Sequence, residues 1–149
     1  MVQFSCKPFS EFSLEELYEV MALRQEVFVV EQDCPYLDAD GKDQVCWHLM
    51  GYENEKLVAY TRLVPVGVSY EKYPSIGRVI TVGSVRGRGV GVQLMEASIQ
   101  QCETLFGKMA IKIGAQCYLL KFYNSLGFES VGEEYLEDGI PHISMVRKA

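Results

Sequence analysis

A chain of 149 residues, 48% hydrophobic and 23% charged, has the size and composition of one folded domain, which excludes a disordered or fibrous polymer. Its net charge of −6 excludes general binding to the phosphate backbone of nucleic acid, which rests on clustered Lys and Arg, and leaves a cationic partner open. The cysteines Cys6, Cys34, Cys46, Cys102 and Cys117 contain no C-x-x-C pair, so reduced thiols are expected rather than a disulfide framework or a zinc site.

The first residues carry no basic start followed by an apolar core, and no apolar run approaches about 20 residues, so an unexported, cytoplasmic protein without membrane attachment is expected. Residues 2–9 predict a short strand. Ser13-Leu14-Glu15-Glu16 has the S-x-x-E form of a capping box. Leu14, Leu17, Tyr18, Met21 and Phe28 then follow three-and-four spacing, which predicts a helix to about Val30 with those residues on its apolar face. Residues 31–44 break into Asp, Gly, Pro and Cys and predict an irregular, solvated loop. Within it, Asp38-Ala39-Asp40-Gly41-Lys42-Asp43 has its glycine too early for a calcium loop, and Leu49 stands where the closing glutamate belongs, so no metal is expected.

Residues 46–52 and 57–65 flank Glu53-Asn54-Glu55-Lys56 and predict a hairpin. Alternation puts Leu57, Ala59, Thr61 and Leu63 on one side and Val58, Tyr60, Arg62 and Val64 on the other, which leaves Arg62 among apolar neighbours. After a loop at 66–75, a strand at 76–82 runs into a glycine-rich segment and a helix at 90–106. A strand at 108–113, a helix at 115–126 stopped by Gly127, a strand at 128–136, a turn at Asp138-Gly139 and a strand at 143–146 complete the chain. This order predicts a single α/β (α+β) domain over residues 1–149, with a mixed central β-sheet and helices on both faces. Its exposed edge strands leave a homodimer open.

In Arg86-Gly87-Arg88-Gly89-Val90-Gly91 alternate glycines let the backbone approach a ligand, and the helix that follows adds unpaired N–H groups and a positive dipole end. That is an anion site, with Arg86 and Arg88 as charged donors at its rim. The loop lacks the Gly-Lys-Ser/Thr ending of a P-loop and the G-x-G-x-x-G spacing of dinucleotide sites, which disfavours ATP and NAD. A tight strand-to-helix turn without a ligand is the alternative reading of the same glycines.

The segment resembles the coenzyme motif Q/R-x-x-G-x-G/A of the GNAT superfamily of N-acetyltransferases. Phe122-Tyr123-Asn124-Ser125-Leu126-Gly127-Phe128 is similar to the second marker of that superfamily. The stretches Leu23-Arg24, Val27-Phe28-Val29-Val30-Glu31-Gln32, Asp40-Gly41-Lys42-Asp43, His48-Leu49, Ile76-Gly77-Arg78-Val79 and Glu137-Asp138-Gly139-Ile140-Pro141-His142 resemble its ElaA-like branch. The resemblance implies the GNAT fold and acetyl-CoA as co-substrate. It further implies a pantetheine arm along Ile80, Thr81 and Val82, a pyrophosphate at Arg86 to Gly91, and coenzyme contacts from Phe122 and Tyr123. Gln116 stands where many members carry Asn and keeps an amide for the same contact.

Direct transfer to an amine needs a proton acceptor, an oxyanion donor and an acid for the leaving thiolate. The resemblance assigns the acid to Tyr123 and the oxyanion donor to a backbone N–H near Val82. Glu31, His48 and His142 are the candidate bases and acceptor-binding residues, with Glu31 preferred. Cys117 as a covalent nucleophile is the alternative mechanism. The expected acceptor is a primary amine of a small molecule or peptide. A coenzyme-binding module with little catalysis and a transferase of longer acyl chains stay open.

Overall fold

The computed structural model describes residues 1–149. Strand β1 (Gln3–Pro8) leads through a short turn to helix α1 (Leu14–Arg24), and strands β2 (Trp47–Glu53), β3 (Lys56–Val64) and β4 (Ser75–Thr81) follow. Helix α2 (Val90–Phe106), strand β5 (Ile111–Gln116), helix α3 (Leu120–Ser125) and strands β6 (Phe128–Glu137) and β7 (Ile140–Arg147) complete the fold. No helix is long and apolar enough to cross a membrane.

The capping box forms as read: Ser13 Oγ accepts from the Glu16 N–H at 3.0 Å, and Glu16 Oε1 accepts from the Ser13 N–H at 2.9 Å. The helix reaches Glu31, but from Gln25 onward it widens into a π-helical turn. Its predicted apolar face needs correction. Leu14 and Tyr18 are 86% and 78% exposed, whereas Val20, Leu23 and Val27 are buried. Both stripes obey the same spacing; the second packs on Met50, Tyr60 and Ile80 of the sheet, joined from the predicted face by Phe28.

Strands β1 to β4 form an antiparallel sheet in sequence order. Asn54 and Glu55, both at positive φ (51° and 66°), turn the β2–β3 hairpin. Every residue of β3 from Val58 to Val64 is buried, because α1 covers one face of the sheet and α2 the other. On the α2 side, Thr61 Oγ1 and Ser98 Oγ share a 2.7 Å hydrogen bond. A second antiparallel sheet has the order β5-β7-β6. Strands β4 and β5 begin side by side, where the Lys112 N–H donates to Pro74 O at 3.1 Å, and then separate.

Three elements differ in their bounds from the sequence expectation. The strand predicted at 108–113 lies at Ile111–Gln116, and the helix predicted from residue 115 begins only at Leu120, after a tight turn at Cys117–Leu119. Pairing decides this. β5 stays extended as far as Gln116 because β7 supplies partners up to His142, and local periodicity carries no record of that strand. For the same reason β7, the middle strand of its sheet, runs Ile140–Arg147 rather than 143–146.

The acidic loop is not a solvated surface loop. Asp38 and Asp43 are 5% and 4% exposed, and Arg24 is fully buried among them. Arg24 donates to Asp38 Oδ2 at 2.7 Å and to Asp43 Oδ1 at 2.6 Å. Arg62 donates to both Asp40 oxygens at 2.8 Å and to Asp43 at 3.0 Å, and Arg78 donates to Asp38 at 2.8 Å. The apolar setting read for Arg62 thus resolves into an ion-pair network, in which its Nε alone among buried side-chain N and O atoms lacks a partner.

Candidate active site

The separation of β4 from β5 opens a cleft of about 1200 Å³. Val79, Ile80 and Thr81 line one wall and Ile113, Gly114 and Gln116 the other. Phe28 and Glu31 reach it from the π-helical turn, Arg86 and Gly91 from the start of α2, and Tyr123 from α3.

At the start of α2, Gly87 and Gly89 adopt φ of 80° and 77°. A Cβ at either would meet nothing within 4 Å, so backbone conformation rather than space demands glycine there. The N–H groups of Gly87 to Val92 donate to no carbonyl of the chain; the first such bond of the helix is Gln93 N–H to Gly89 O at 3.2 Å. Val90, 4% exposed, anchors the helix start in the core. These free donors and the helix dipole suit an anion such as a pyrophosphate.

The two arginines of the loop part company. Arg86 stays at the cleft, where its Nε donates to Thr81 O at 2.8 Å and its Nη2 to Glu31 Oε2 at 3.2 Å. Arg88 does not supply the second rim charge expected of it: its side chain makes a fork to Glu53 at 3.0 and 2.7 Å, away from the cleft wall. Only the Arg88 backbone is left to face an anion.

Gly91 and Phe122 join the two sequence markers in space, since a Cβ on Gly91 would stand 3.5 Å from the Phe122 ring. Next to it, Tyr123 is 5% exposed and packs edge-on against Phe122 and Phe128, with centroids 5.1 and 6.0 Å apart. Its hydroxyl makes no hydrogen bond within the chain and stands at the cleft. Burial, with a smaller contribution from Tyr118, pushes its pKa up to about 12, so the phenol carries its proton at neutral pH.

Of the backbone N–H groups near Val82, where the oxyanion donor is expected, one is committed within the sheet. The Val82 N–H donates to Val58 O at 2.9 Å, and strand alternation then turns the Thr81 N–H and carbonyl toward the cleft. The Thr81 carbonyl is the one that accepts from Arg86. Ile80 is 1% exposed, with its side chain in the core beside α1. Gln116 ends β5 rather than entering a helix, and its amide reaches Gln32 Oε1 at 3.4 Å across the cleft.

His48 is not a cleft residue. It is fully buried in β2, its Nε2 3.0 Å from Asp43 O and its Nδ1 2.6 Å from the Tyr60 hydroxyl. The carbonyl can only accept, so Nε2 bears the hydrogen and Nδ1 accepts from Tyr60. Burial lowers its pKa, as expected of a neutral structural histidine. His142, by contrast, lines the cleft from β7 together with Tyr135 and Glu137 of β6. Cys117 stands outside the cleft wall, and desolvation and the neighbouring Glu134 push its thiol pKa up, which disfavours it as a nucleophile.

Sequence reasoning missed Tyr70, Tyr135 and the arginine network that borders the cleft. Arg62 within an apolar strand was a usable signal for the network; Tyr70 and Tyr135 carried none, because each lies in a segment that reads as an ordinary loop or strand.

Residues 38–149 match the family model described as an acetyltransferase (GNAT) domain. The chain is 45% identical over 146 residues to a UPF0039 protein of Synechocystis, covering 97% of this chain and 94% of the other. It is 43% identical over 150 residues to Protein ElaA of Escherichia coli, covering 99% and 97%. The crystal structure of Escherichia coli ElaA superposes with a TM-score of 0.92 at 41% identity over 99% of this chain and 100% of that one. An acyl-CoA N-acyltransferase of Pseudomonas aeruginosa gives 0.92 at 43% identity over 99% of each chain. With the family model over most of its length and such relatives end to end, this chain belongs to the GNAT acetyltransferase family, among its ElaA-like acyltransferases.

Proposed function

We propose that the protein transfers an acetyl group from acetyl-CoA directly to the primary amine of a small molecule or peptide. One observation carries the reading: the Phe122 ring lies 3.5 Å from where a Cβ on Gly91 would stand, so the free N–H groups of the glycine loop and the unpartnered hydroxyl of Tyr123 face the same cleft. The loop would hold the pyrophosphate, helped by Arg86. The Ile80 to Val82 strand end would take the pantetheine arm, with Phe122 beneath it and Gln116 opposite. The Thr81 N–H would stabilise charge on the thioester oxygen. Tyr123, which holds its proton at neutral pH, would pass it to the departing sulfur. Glu31, at the rim of the cleft, would draw in a cationic acceptor.

The test is thiol release from acetyl-CoA in the presence of polyamines, amino acids, aminoglycosides and peptide N-termini. Turnover with one amine class and tight acetyl-CoA binding support the reading. Faster turnover with longer acyl-CoAs replaces the acetyl donor. Calorimetric binding of acetyl-CoA without turnover on any amine replaces the enzyme with a coenzyme-binding module.

A further inference from the structure

Four cleft residues outside the coenzyme markers cluster on β6, β7 and the loop before β4. His142, 6% exposed, lies with its Nδ1 2.7 Å from Ile140 O and its Nε2 3.3 Å from Glu137 Oε2. The Tyr135 ring stacks on the imidazole at 5.8 Å, with 27° between the planes. The hydroxyls of Tyr135 and Tyr70 converge over β5, 2.6 and 3.6 Å from where a Cβ on Gly114 would be. Glycine at 114 keeps the floor of the cleft clear for them.

The hydrogen bond of His142 to Ile140 fixes the tautomer of its neutral ring. Ile140 O only accepts, so Nδ1 must carry a hydrogen, and in the neutral ring Nε2 is a lone pair facing the Glu137 carboxylate. A neutral imidazole thus leaves that carboxylate without a donor from the ring. Once Nε2 gains a proton, both ring N–H groups have acceptors, and the charge gained is matched by Glu137. The ring therefore presents Nε2, a nitrogen with a lone pair in its neutral form, at the cleft beside a carboxylate. Glu31 differs: it is 46% exposed and already accepts from Arg86. His48 is sealed in the core with both nitrogens used.

Resting on the acyl transfer proposed above, we propose that the acceptor is an alkyl ammonium seated against Tyr70, Tyr135 and Glu137, and that His142 Nε2 takes its proton. The Tyr70 ring already carries the Lys112 ammonium at 4.9 Å from its centroid, so the Tyr135 ring and the Glu137 carboxylate supply the attraction for the acceptor's cation, and Tyr70 lines the cleft with its hydroxyl. The protons balance as follows. The ammonium gives one proton to His142, and its freed lone pair forms the C–N bond to the thioester carbon. The C–S bond breaks, and sulfur takes the Tyr123 proton. Nitrogen loses a second proton, which restores Tyr123 through solvent, and the proton on His142 leaves to solvent. The products are the amide, the free thiol and one released proton. Glu137 is a positioning residue that acts through His142.

The experiment compares the wild-type protein, His142→Ala, Glu137→Gln and Glu31→Gln with two acceptors: an alkyl amine that is charged at the assay pH and an aryl amine or hydrazine that is neutral there. Coenzyme affinity and circular dichroism are measured alongside. His142→Ala should lose about 10²–10⁴-fold in turnover with the charged amine and only a few-fold with the neutral one. Added imidazole should restore part of the loss, an effect that a purely structural role would not show. Glu137→Gln should shift the charged-to-neutral ratio in the same direction by a smaller factor. Equal losses on both amines, or a selective loss in Glu31→Gln but not in His142→Ala, overturn the assignment. Wild-type protein that binds acetyl-CoA but turns over neither amine refutes the acyl transfer itself, a separate outcome.

Discussion

Glu31 Oε2 accepts from Arg86 Nη2 at 3.2 Å, so a residue of the π-helical turn and a residue of the glycine loop hold one another at the cleft. Both side chains are about half exposed, and such pairs contribute only about 0.2–1 kcal/mol. An incoming pyrophosphate therefore competes with Glu31 for Arg86 at little cost. Glu31→Gln is expected to tighten acetyl-CoA binding by up to about five-fold, the equivalent of that energy, and to lower kcat/KM for a cationic amine. Calorimetry and thiol-release kinetics check the two effects. Unchanged kinetics with the true acceptor would remove Glu31 from the site.

Tyr123→Phe should leave acetyl-CoA affinity unchanged and lower kcat by about 10²–10⁴-fold, the range of a lost general acid. Burial has raised the Tyr123 pKa to about 12, so its proton is in place at all lower pH and is lost only as the pH rises toward that value. Activity that falls between pH 7 and 9 must then be traced to another group. Full activity in the Phe variant would assign Tyr123 to packing alone.

The double replacement Gly87→Val, Gly89→Val is expected to abolish coenzyme binding while the protein stays folded. A Cβ has open space at both sites, but φ of 80° and 77° costs a side-chain-bearing residue roughly 1–2 kcal/mol each, and a valine more still. The loop would leave that conformation and scatter its N–H groups. Affinity that survives in calorimetry would place the pyrophosphate elsewhere.

Asp43 lies between Arg24 and Arg62, at 2.6 and 3.0 Å. Removing it as Asp43→Ala strands buried guanidinium charge, at an expected cost of about 3–5 kcal/mol measured by urea unfolding. Burial by itself would raise the Asp43 pKa, but hydrogen bonds and charge from Arg24 and Arg62 outweigh it and bring the value down. Asp40 is lowered in the same way against the same burial, chiefly by Arg62. Folded values below the unfolded value, about 3.9, mean that this stability is fully present above pH 4 to 5 and is lost as the pH falls through the folded values. Acid unfolding of the wild-type protein should therefore be steeper than that of Asp43→Ala below pH 4. Identical acid profiles would show that the network does not control this transition.

The glycine-loop end of the cleft was legible in the sequence because its geometry is backbone geometry at fixed spacing. Alternating glycines specify positive φ, and a helix start specifies free N–H groups, wherever they occur. The capping box, the hairpin and the Asp138-Gly139 turn were legible for the same reason: each depends on neighbours within a few residues. The length of β5 was not, since Gln116 remains extended only because His142 lies opposite it. Nor was the covered stripe of α1, because Leu14 and Val20 satisfy one periodicity and only the sheet selects between them.

The sequence by itself determined the GNAT family, a glycine loop at a helix start, the tyrosine of the second marker and the order of elements that brings them near. Only the tertiary structure decided what the remaining polar side chains do. It buried His48 against Tyr60 and put His142 beside Glu137. It turned Arg88 to Glu53 and Arg86 to Glu31, and it drew the acidic loop into the interior around Arg24. In each case a charged or titratable group takes its role from a partner remote in the chain, or from burial that the whole fold imposes, and neither is written in the spacing of nearby residues.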